Sequence, residues 1–550
     1  MSRAGHAPAI DAPIERAHSC HESELGTSNP ATALKPTRLR SPYEAKREAR
    51  MKSLRRTCII SMTLLAVAIP VQLAAQDRTQ PQHQYHHYQL VDVGTFGGPQ
   101  SFQYIYAPAR EVLNNSGALG GWADTSTIDP LCSFDYPDCY AAHAFVWQNG
   151  AKTDLGLLPG GTNSQLNWIA ANGLTAGVAD NGQMDPLLGG PQLRGTFWGH
   201  DGTITDVGAL PGTYFAYTSA VNSRGQVVGQ ALNTIPDPYS IYGQGYQARA
   251  FLWDSKKGMQ DLGTLGGTDA IAAAINDQGQ VLGWSYINSV PSPACPPFLT
   301  TGSFLWDRKN GMKDIGGLGG TCTLANDLND QGQIVGQSSL TGDPVFHPFV
   351  WNAATGVTDL LNPSDSSSGI AVAENAHGDV AGATSDSVTT YAVLWRKSGG
   401  HWHKTSLSTS SQSAYSISIN ASEQVVGFWF GVGPFLQDAF LSEDGGPIVD
   451  LNTLVPPGSG LQFFEADQIN DGGEIAVQAQ DANGNNHSVL LIPCDENHPG
   501  VEGCDYSLVD AATAAEQSGA RPYIPSTTQH LPQSRWSNRF HLRSLQSPSR

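Results

Sequence analysis

Charged residues are scarce in this sequence. Only 14% of its 550 residues are Asp, Glu, Lys or Arg, a share too low for a coiled coil or for a chain that charge keeps disordered. Glycine and proline are frequent, at 60 and 34 residues, but they follow no Gly-X-Y period, which excludes collagen. Hydrophobic residues make up 40% of the chain, which is enough to build a core.

The common signatures of catalysis and metal binding are also missing. The sequence has no C-x-x-C pair, no Gly-Lys-Ser/Thr phosphate loop, no G-x-S-x-G elbow and no H-E-x-x-H motif. We therefore expect no cofactor and no metal site, although five histidines offer ligand atoms: His83, His86, His87, His401 and His403. Paired carboxylates for glycoside chemistry stay open, because the chain has many acids.

Acidic residues outnumber basic ones, 49 to 30, and the excess lies in residues 77–510. A body of this charge should repel nucleic acid and anionic membrane surfaces. It could attract cations or basic partners. The alternative is an acidic surface that only keeps the protein in solution.

One segment near the N-terminus has the layout of a secretory signal peptide. It comprises a basic region (Lys52, Arg55, Arg56), an apolar region (Cys58 to Leu73) and small residues before Gln76 (Ala74, Ala75). We expect residues 51–76 to be this signal and the protein to be secreted, periplasmic or at the cell surface. Residues 1–50 then form a disordered or untranslated extension; the alternative is an uncleaved signal-anchor.

The cysteines outside these N-terminal segments number six, and an even count in an exported chain indicates disulfides. Nearness in sequence favours Cys132–Cys139 and Cys494–Cys504, which leaves Cys295 with Cys322.

Internal repeats dominate the rest of the chain. RAFLWDSKKGMQDLGTLGGTDAIAAAINDQGQVLGWS begins at Arg249, and a close copy begins at Gly302. The Trp of the FLW-type run recurs every 44 to 55 residues, at Trp147, Trp198, Trp253, Trp306, Trp351 and Trp395. Each copy holds four short strand-like pieces joined by Gly, Asn and Asp turns, which predicts a four-stranded antiparallel propeller blade.

Counting these pieces predicts eight blades. Hairpin turns between first and second strands recur near Asn114, Asn172, Asn222, Asn276, Asn329, Asn375, Asn420 and Asn470. The last copy lacks a fourth strand, whereas residues 88–94 are a fourth strand without a blade. We therefore predict an all-β, eight-bladed propeller over 88–495, closed by pairing this N-terminal strand with the C-terminal three. A flexible lead (77–87) and a disordered tail (496–550) flank it.

Two repeated residues have structural interpretations. The glycine of the V-x-G motif lies inside a strand and predicts a bulge or a close backbone approach, where a neighbour's Trp packs: Gly120, Gly177, Gly229, Gly283, Gly336, Gly382 and Gly427. The aspartate of the DLG motif should accept local backbone hydrogen bonds at a strand end: Asp92, Asp154, Asp206, Asp261, Asp314, Asp359 and Asp450. The alternative for these seven carboxylates is a shared cation site.

The repeats resemble the HAF-type extracellular repeat, named after its His-Ala-Phe signature. HAF stands at His143, Ala144 and Phe145, with related forms at 249–251, 347–349 and 438–440 and the partner motifs DLGTLGG and IND-x-G-x-V-x-G. The resemblance covers about 88–495. It implies export and a repeat-built surface protein, and it implies no reaction.

Binding is expected on the face that carries the longer loops. Loops between second and third strands are long in the first four blades, at about 124–142, 181–194, 232–248 and 286–301, and long loops commonly carry function. They and an adjacent loop hold seven tyrosines: Tyr136, Tyr140, Tyr214, Tyr217, Tyr239, Tyr242 and Tyr246. Exposed aromatic clusters suit sugars or peptides. The alternative is that these rings pack only their own loops.

The sequence thus predicts a monomeric, exported binding module for a glycan or protein ligand, without nucleic-acid partners. Its alternative is a secreted hydrolase or lyase that acts on polysaccharide through carboxylates. A cluster of acids in the central mouth of the loop face favours the enzyme, and an apolar or Tyr-lined surface there favours the binding module.

Overall fold

The computed structural model describes residues 84–103, 111–132, 139–430 and 437–519. These residues are almost entirely β-structure, and their only α-helix is Ala511–Gly519. One turn of 3-10 helix, Leu451–Thr453, follows the thirtieth strand. In the described ranges no helix has both the length and the apolar character needed to cross a membrane. The predicted extension 1–50 and signal 51–76 lie outside these ranges.

The strands form four-stranded antiparallel sheets that follow one another along the chain, numbered here as sheets 1 to 8. Sheet 1 comprises Gly97–Phe102, Leu119–Ile128, Tyr140–Gln148 and Ala151–Asp154; sheet 2, Ser164–Ile169, Thr175–Met184, Pro191–Trp198 and Ile204–Asp206; sheet 3, Ala216–Val221, Val227–Pro236, Tyr246–Asp254 and Gly258–Asp261; sheet 4, Ala270–Ile275, Val281–Pro291, Leu299–Asp307 and Gly311–Asp314. Sheet 5 comprises Gly319–Leu328, Ile334–Leu340, Phe346–Asn352 and Gly356–Asp359; sheet 6, Ser368–Glu374, Val380–Ser385, Thr390–Ser398 and His401–Ser406; sheet 7, Ser413–Ile419, Val425–Phe430, Gln437–Ser442 and Val449–Asp450; sheet 8, Gln462–Ile469, Ile475–Gln480, Asn486–Pro493 and Tyr88–Asp92.

Sheet 8 joins the two ends of the repeat region. Its fourth strand pairs with its third in antiparallel register, from Tyr88 opposite Pro493 to Asp92 opposite Val489. Sheets 4 and 5 share one parallel bridge, between Thr301 and Cys322, and are otherwise separate ladders. A succession of such up-and-down sheets makes the fold all-β and propeller-like.

The DLG aspartates end the fourth strands by binding local backbone. In each of the seven, Oδ1 accepts a hydrogen bond from the N–H two residues further on, at 2.8 to 2.9 Å. This confirms the first interpretation of the motif. The other carboxylate oxygen binds the first residue of the HAF motif. In sheet 1, Asp154 Oδ2 lies 2.8 Å from Nδ1 of His143. Arg194, Arg249, His347 and His487 make the equivalent contact in other sheets.

The V-x-G glycines lie opposite bulges of the first strand. At Gly283 the register slips between Ala272 and Ala274, and a Cβ there would lie 2.1 Å from the Ile271 carbonyl oxygen and 2.5 Å from the ring of Phe304. The expected bulge is confirmed, but the packing ring is a Phe of the same sheet rather than a neighbour's Trp. In sheet 1 the equivalent residue is Gly121, not Gly120, since Gly121 pairs with Phe145.

The segments flanking the sheets have more structure than the sequence indicates. Gln84–His86, placed in the predicted flexible lead, pairs with Leu508–Asp510, placed in the predicted disordered tail. The tail prediction was wrong for residues 496–519, because Tyr85, Val509 and Ala514 are buried in one cluster against sheets 7 and 8. A few apolar residues are enough to order a largely polar segment when they can pack against neighbouring sheets.

All three predicted disulfides are present. Cys132–Cys139, Cys295–Cys322 and Cys494–Cys504 have Cα–Cα distances of 4.6, 6.0 and 5.4 Å. The second joins the hairpin of sheet 4 to the start of sheet 5, so it ties two neighbouring sheets together. Disulfides are typical of proteins that live in an oxidising compartment.

Candidate functional site

The turns between first and second strands are tied to one another by asparagine side chains. Asn276 shows the pattern: its Oδ1 accepts from the N–H groups of Gln278 (3.1 Å) and Gln280 (3.0 Å), and its Nδ2 donates to the Asn329 carbonyl of the next turn (3.1 Å). Equivalent links run from Asn114 to Ala170, Asn222 to Asn276, Asn375 to Asn420, Asn420 to Asn470 and Asn470 to Asn114. One amide thus shapes its own turn and binds the neighbouring one.

Two turns depart from this pattern. In sheet 2 the first residue of the turn, which is an asparagine in the pattern above, is Ala170. Asn172 lies two residues further on and donates to the Ser223 carbonyl at 2.8 Å. In sheet 5, Asn329 donates to the carboxylate of Glu374 at 3.1 Å.

These turns and the ends of the first strands line a cavity of about 380 Å³. Residues from all eight sheets contribute to its wall. The titratable side chains among the described lining residues are all acidic: Glu111, Asp277, Asp327, Asp330, Glu374, Asp467 and Asp471. The cavity is therefore a region of concentrated negative potential.

Glu111 and Gln468 connect sheet 1 to sheet 8 at the wall of this cavity. Gln468 Nε2 donates to Glu111 Oε2 at 2.6 Å, and its Oε1 accepts from the N–H groups of Val112 (2.7 Å) and Leu113 (2.9 Å). Burial raises the pKa of Glu111 to about 8, although the Gln468 hydrogen bond opposes this, and the charge of Asp327 acts in the same direction as burial.

Asp327 and Glu374 bring two carboxyl groups together at another part of the wall. The Glu374 N–H donates to Asp327 Oδ2 at 3.2 Å, so the two acids are held on adjacent first strands. Burial raises the pKa of Asp327 to about 6. Burial and then the negative charge of Asp327 raise the pKa of Glu374 well above its ordinary value.

We expect these acids to make the protein less stable as the pH rises from about 5 to about 8. Their folded-state pKa values exceed the ordinary ones, so in this window the folded chain holds protons that the unfolded chain has released. Thermal unfolding followed by circular dichroism should show a melting temperature that falls by a few degrees over this range. Glu111→Gln removes one titrating group and should flatten the profile. A wild-type profile that is level or rises would contradict the assignment.

The opposite ends of the sheets carry the longer hairpins of the predicted loop face. The second strands of sheets 1 to 4 have 10, 10, 10 and 11 residues, against 6 or 7 in sheets 5 to 8. Much of what the sequence predicts as loop is therefore paired strand, as in Val281–Pro291 opposite Leu299–Asp307. Each extra length projects as a two-stranded arm.

The arms expose large apolar side chains. Ile128, Met184, Ile235 and Val290 stand at or next to the last residue of the four long second strands, and each is 53% to 59% exposed. Leu131, Leu187 and Tyr239 are exposed on the same hairpins. We call these seven residues the arm patch. Such exposure on four successive sheets is a feature of interaction surfaces.

The structure separates the predicted tyrosines into two groups. Tyr242 packs against Phe215 and Tyr217, with ring centroids 5.4 and 6.0 Å apart, and Tyr246 lies in the same half-buried cluster. Tyr214 and Tyr239 are exposed, and their backbone carbonyls accept hydrogen bonds from Arg194 and Tyr286. Tyr140 begins the third strand of sheet 1 opposite Ile128.

Tyr136 lies outside the described residues. The acids of the cavity and the aliphatic residues of the arm patch were not among the predicted site residues. One signal was available for the acids, since four of them stand one to three residues before a turn asparagine: Glu111, Asp327, Glu374 and Asp467.

Fold and site together define an all-β, propeller-like repeat protein with an acidic cavity at one end of its sheets and apolar arms at the other. No family model and no curated protein matches the sequence. Among solved structures, similarity was found to TolB from Acinetobacter baumannii (12% identity, TM-score 0.29, 53% of this chain and 64% of that one). Others are dipeptidyl peptidase 4 of Porphyromonas gingivalis (9%, 0.41, 76% and 62%) and a PL25 ulvan lyase (11%, 0.30, 54% and 83%).

The chain spans less than two thirds of the length of the TolB and peptidase structures. At these identities and TM-scores none of the three assigns an activity to this protein.

Proposed function

We propose that residues 88–493 form a closed ring of eight blades, and that this ring is an exported module that binds a protein partner through the arm patch. The observation that carries the binding role is the exposure of equivalent apolar residues on four successive arms. The chain would then be a member of the HAF-type extracellular repeat proteins.

Contacts between the first and last sheets support the ring. Asn470 Nδ2 donates to the Asn114 carbonyl at 3.1 Å, which joins residues 356 positions apart by the same link that joins neighbouring turns. Gln103 of the sheet 1 segment donates to Ser488 Oγ of sheet 8 at 2.9 Å. Each sheet also contacts the next along the chain, and sheet 1 contacts Asn486–Pro493. A cycle of this kind leaves no terminal blade with an uncovered face.

Export is supported by two independent features. The segment 51–76 has the composition of a signal peptide, and the three disulfides fit an oxidising compartment such as the periplasm or the extracellular space.

The chemistry of the arm patch favours a protein over a glycan. Its exposed members are mainly Ile, Leu, Met and Val, which gain by burial against other apolar surface. Sugars are bound more effectively by exposed aromatic rings with polar neighbours, and on the described parts of the arms Tyr239 is the one exposed aromatic residue.

A polysaccharide hydrolase or lyase is the second candidate. It is favoured by the acidic cavity, but that cavity lies at the turn end of the sheets, whereas the arms project from the other end.

The binding role predicts that charge on the arms abolishes partner capture without unfolding the protein. The full chain is applied to peptide and glycan arrays, every hit is assayed for turnover, and Met184→Asp with Ile235→Asp is compared with wild type. We expect peptide hits whose affinity falls at least about tenfold in the double variant, since each lost apolar contact weakens binding by about 1 kcal/mol or more. Its melting temperature should stay near that of wild type.

Val388→Asp is the matched control, because Val388 is 87% exposed on sheet 6, outside the arm patch. It should bind like wild type. Equal losses in control and arm variants would contradict the arm site, and product formation from a polysaccharide hit would replace the binding role by the enzyme.

A further inference from the structure

The described wall of the acidic cavity offers carboxyl groups without a basic side chain to pair with them. Its wall carries seven carboxyl groups and no described Lys, Arg or His. The outer three, Asp277, Asp330 and Asp471, accept backbone hydrogen bonds from the neighbouring turn: Ser223, Asp277 and Ala421 donate to them at 2.8 to 2.9 Å. These three have a structural role, and the inner acids need a separate explanation.

Glu374 is the inner acid whose surroundings point to a ligand. It lines the cavity, is only 8% exposed, and its Oε2 accepts from Asn329 and Gln333. Its Oε1 is buried without a hydrogen-bond partner among the described residues. A buried carboxylate oxygen left in this state is unfavourable, and the neighbouring charge of Asp327 adds to the cost. A bound cation would relieve both.

The form of the cavity favours an extended cation over a metal ion. Within the described residues no three His, Cys, Asp or Glu side chains are close enough to hold one ion. The inner acids come instead from two parts of the wall: Glu111 and Asp467 from sheets 1 and 8, and Asp327 and Glu374, joined by a hydrogen bond, from sheets 5 and 6. Between them, sheets 2, 3 and 4 contribute apolar wall through Trp168, Val221 and Ile275.

We propose that this cavity binds an aliphatic polyammonium ligand, with one ammonium group at Asp327 and Glu374, another at Glu111, and the methylene chain against the apolar wall. Three N–H donors on each terminal ammonium match carboxylate and amide acceptors. A volume of about 380 Å³ admits a chain of this type together with some water. Trp168 can add a cation–π contact. The ligand chemistry is shared by free polyamines and by lysine side chains of a peptide.

Isothermal titration calorimetry on the full chain, at about pH 9 and low ionic strength, where Glu111 and Asp327 are ionised, tests this site. The probes are spermidine, butylamine, a lysine dipeptide with blocked ends, and calcium chloride. We expect spermidine to bind once per chain and more tightly than butylamine. Glu374→Gln and Glu111→Gln should each weaken it about tenfold, the effect of losing one charged hydrogen bond.

Glu502→Gln is the matched control, because Glu502 is exposed and outside the cavity. It should leave the affinity unchanged, and melting temperatures establish that all variants are folded. A dipeptide that binds more tightly than spermidine would support the site and identify lysine side chains as the source. Absence of spermidine binding, an affinity in both cavity variants equal to that of wild type, or calcium binding more tightly than any amine would overturn the proposal.

Discussion

Val91→Pro should destabilise the protein by about 3 kcal/mol, whereas Leu90→Pro in the same strand should cost about 1 kcal/mol. The difference follows from the direction of the backbone in the fourth strand of sheet 8. The Tyr88 N–H donates to Leu454 outside the sheet at 2.8 Å. N–H groups alternate along a strand, so that of Leu90 also points away from the third strand.

The N–H of Val91 points the other way, toward the third strand, as does that of Val93, which donates to Ser488 at 3.1 Å. Proline at 91 removes this donor and leaves a buried carbonyl without its partner, whereas proline at 90 removes no ladder bond. Both changes delete a half-buried apolar side chain, so Leu90→Pro is a matched control.

The measurement is urea unfolding followed by tryptophan fluorescence. If the N-terminal strand holds the two ends of the sheet series together, Val91→Pro should also broaden the transition, because sheets adjoining the break lose a neighbour. Equal unfolding free energies for the two proline variants would show that this strand contributes little to stability.

Gly283→Ala should destabilise the protein by about 3 kcal/mol, at the upper end of what overpacking costs. The added Cβ would meet the Ile271 carbonyl oxygen at 2.1 Å, and a backbone atom in a sheet cannot move aside as the end of a flexible side chain can. The strand would have to shift away from its neighbour, which breaks the pairing around the bulge. Differential scanning calorimetry measures the effect.

Gly190→Ala is the control for this variant. A Cβ at Gly190 meets open space and its φ is not in the left-handed region, so the change should lie within about 0.5 kcal/mol of wild type. Gly427→Ala should behave like Gly283→Ala, since its Cβ would lie 2.0 Å from the Tyr415 carbonyl oxygen. If Gly283→Ala and the control had equal melting temperatures, lack of space for a Cβ would not explain the glycine of the V-x-G motif.

Much of the local structure could be predicted because each repeat contains the residues that define its own strands and turns. Alternating apolar residues, a turn asparagine and a DLG aspartate mark strand boundaries within a few residues, and these features act over short sequence distances. The three disulfides followed for a similar reason, since two of them close short loops. The sequence is misleading where a contact with another sheet fixes the position. In sheet 2 it predicts Asn172 as the turn residue, but Ala170 accepts the hydrogen bond from Asn114 of sheet 1.

The sites were harder to predict because they depend on which strand ends meet. Glu111 and Asp467 stand three residues before their turn asparagines, Asp327 two and Glu374 one, so the four acids share no single position in the repeat. The loop positions of the tyrosines predict exposed rings, yet Tyr217 and Tyr242 are half-buried and pack against each other.

The sequence alone determined that this chain is a series of four-stranded β repeats with paired cysteines, because hydrogen bonding and side-chain alternation within each repeat are local. Only the tertiary structure decided that acids from separate repeats face one cavity and that apolar arms project from the other end. Those arrangements come from packing between sheets, and residues hundreds of positions apart become neighbours through it.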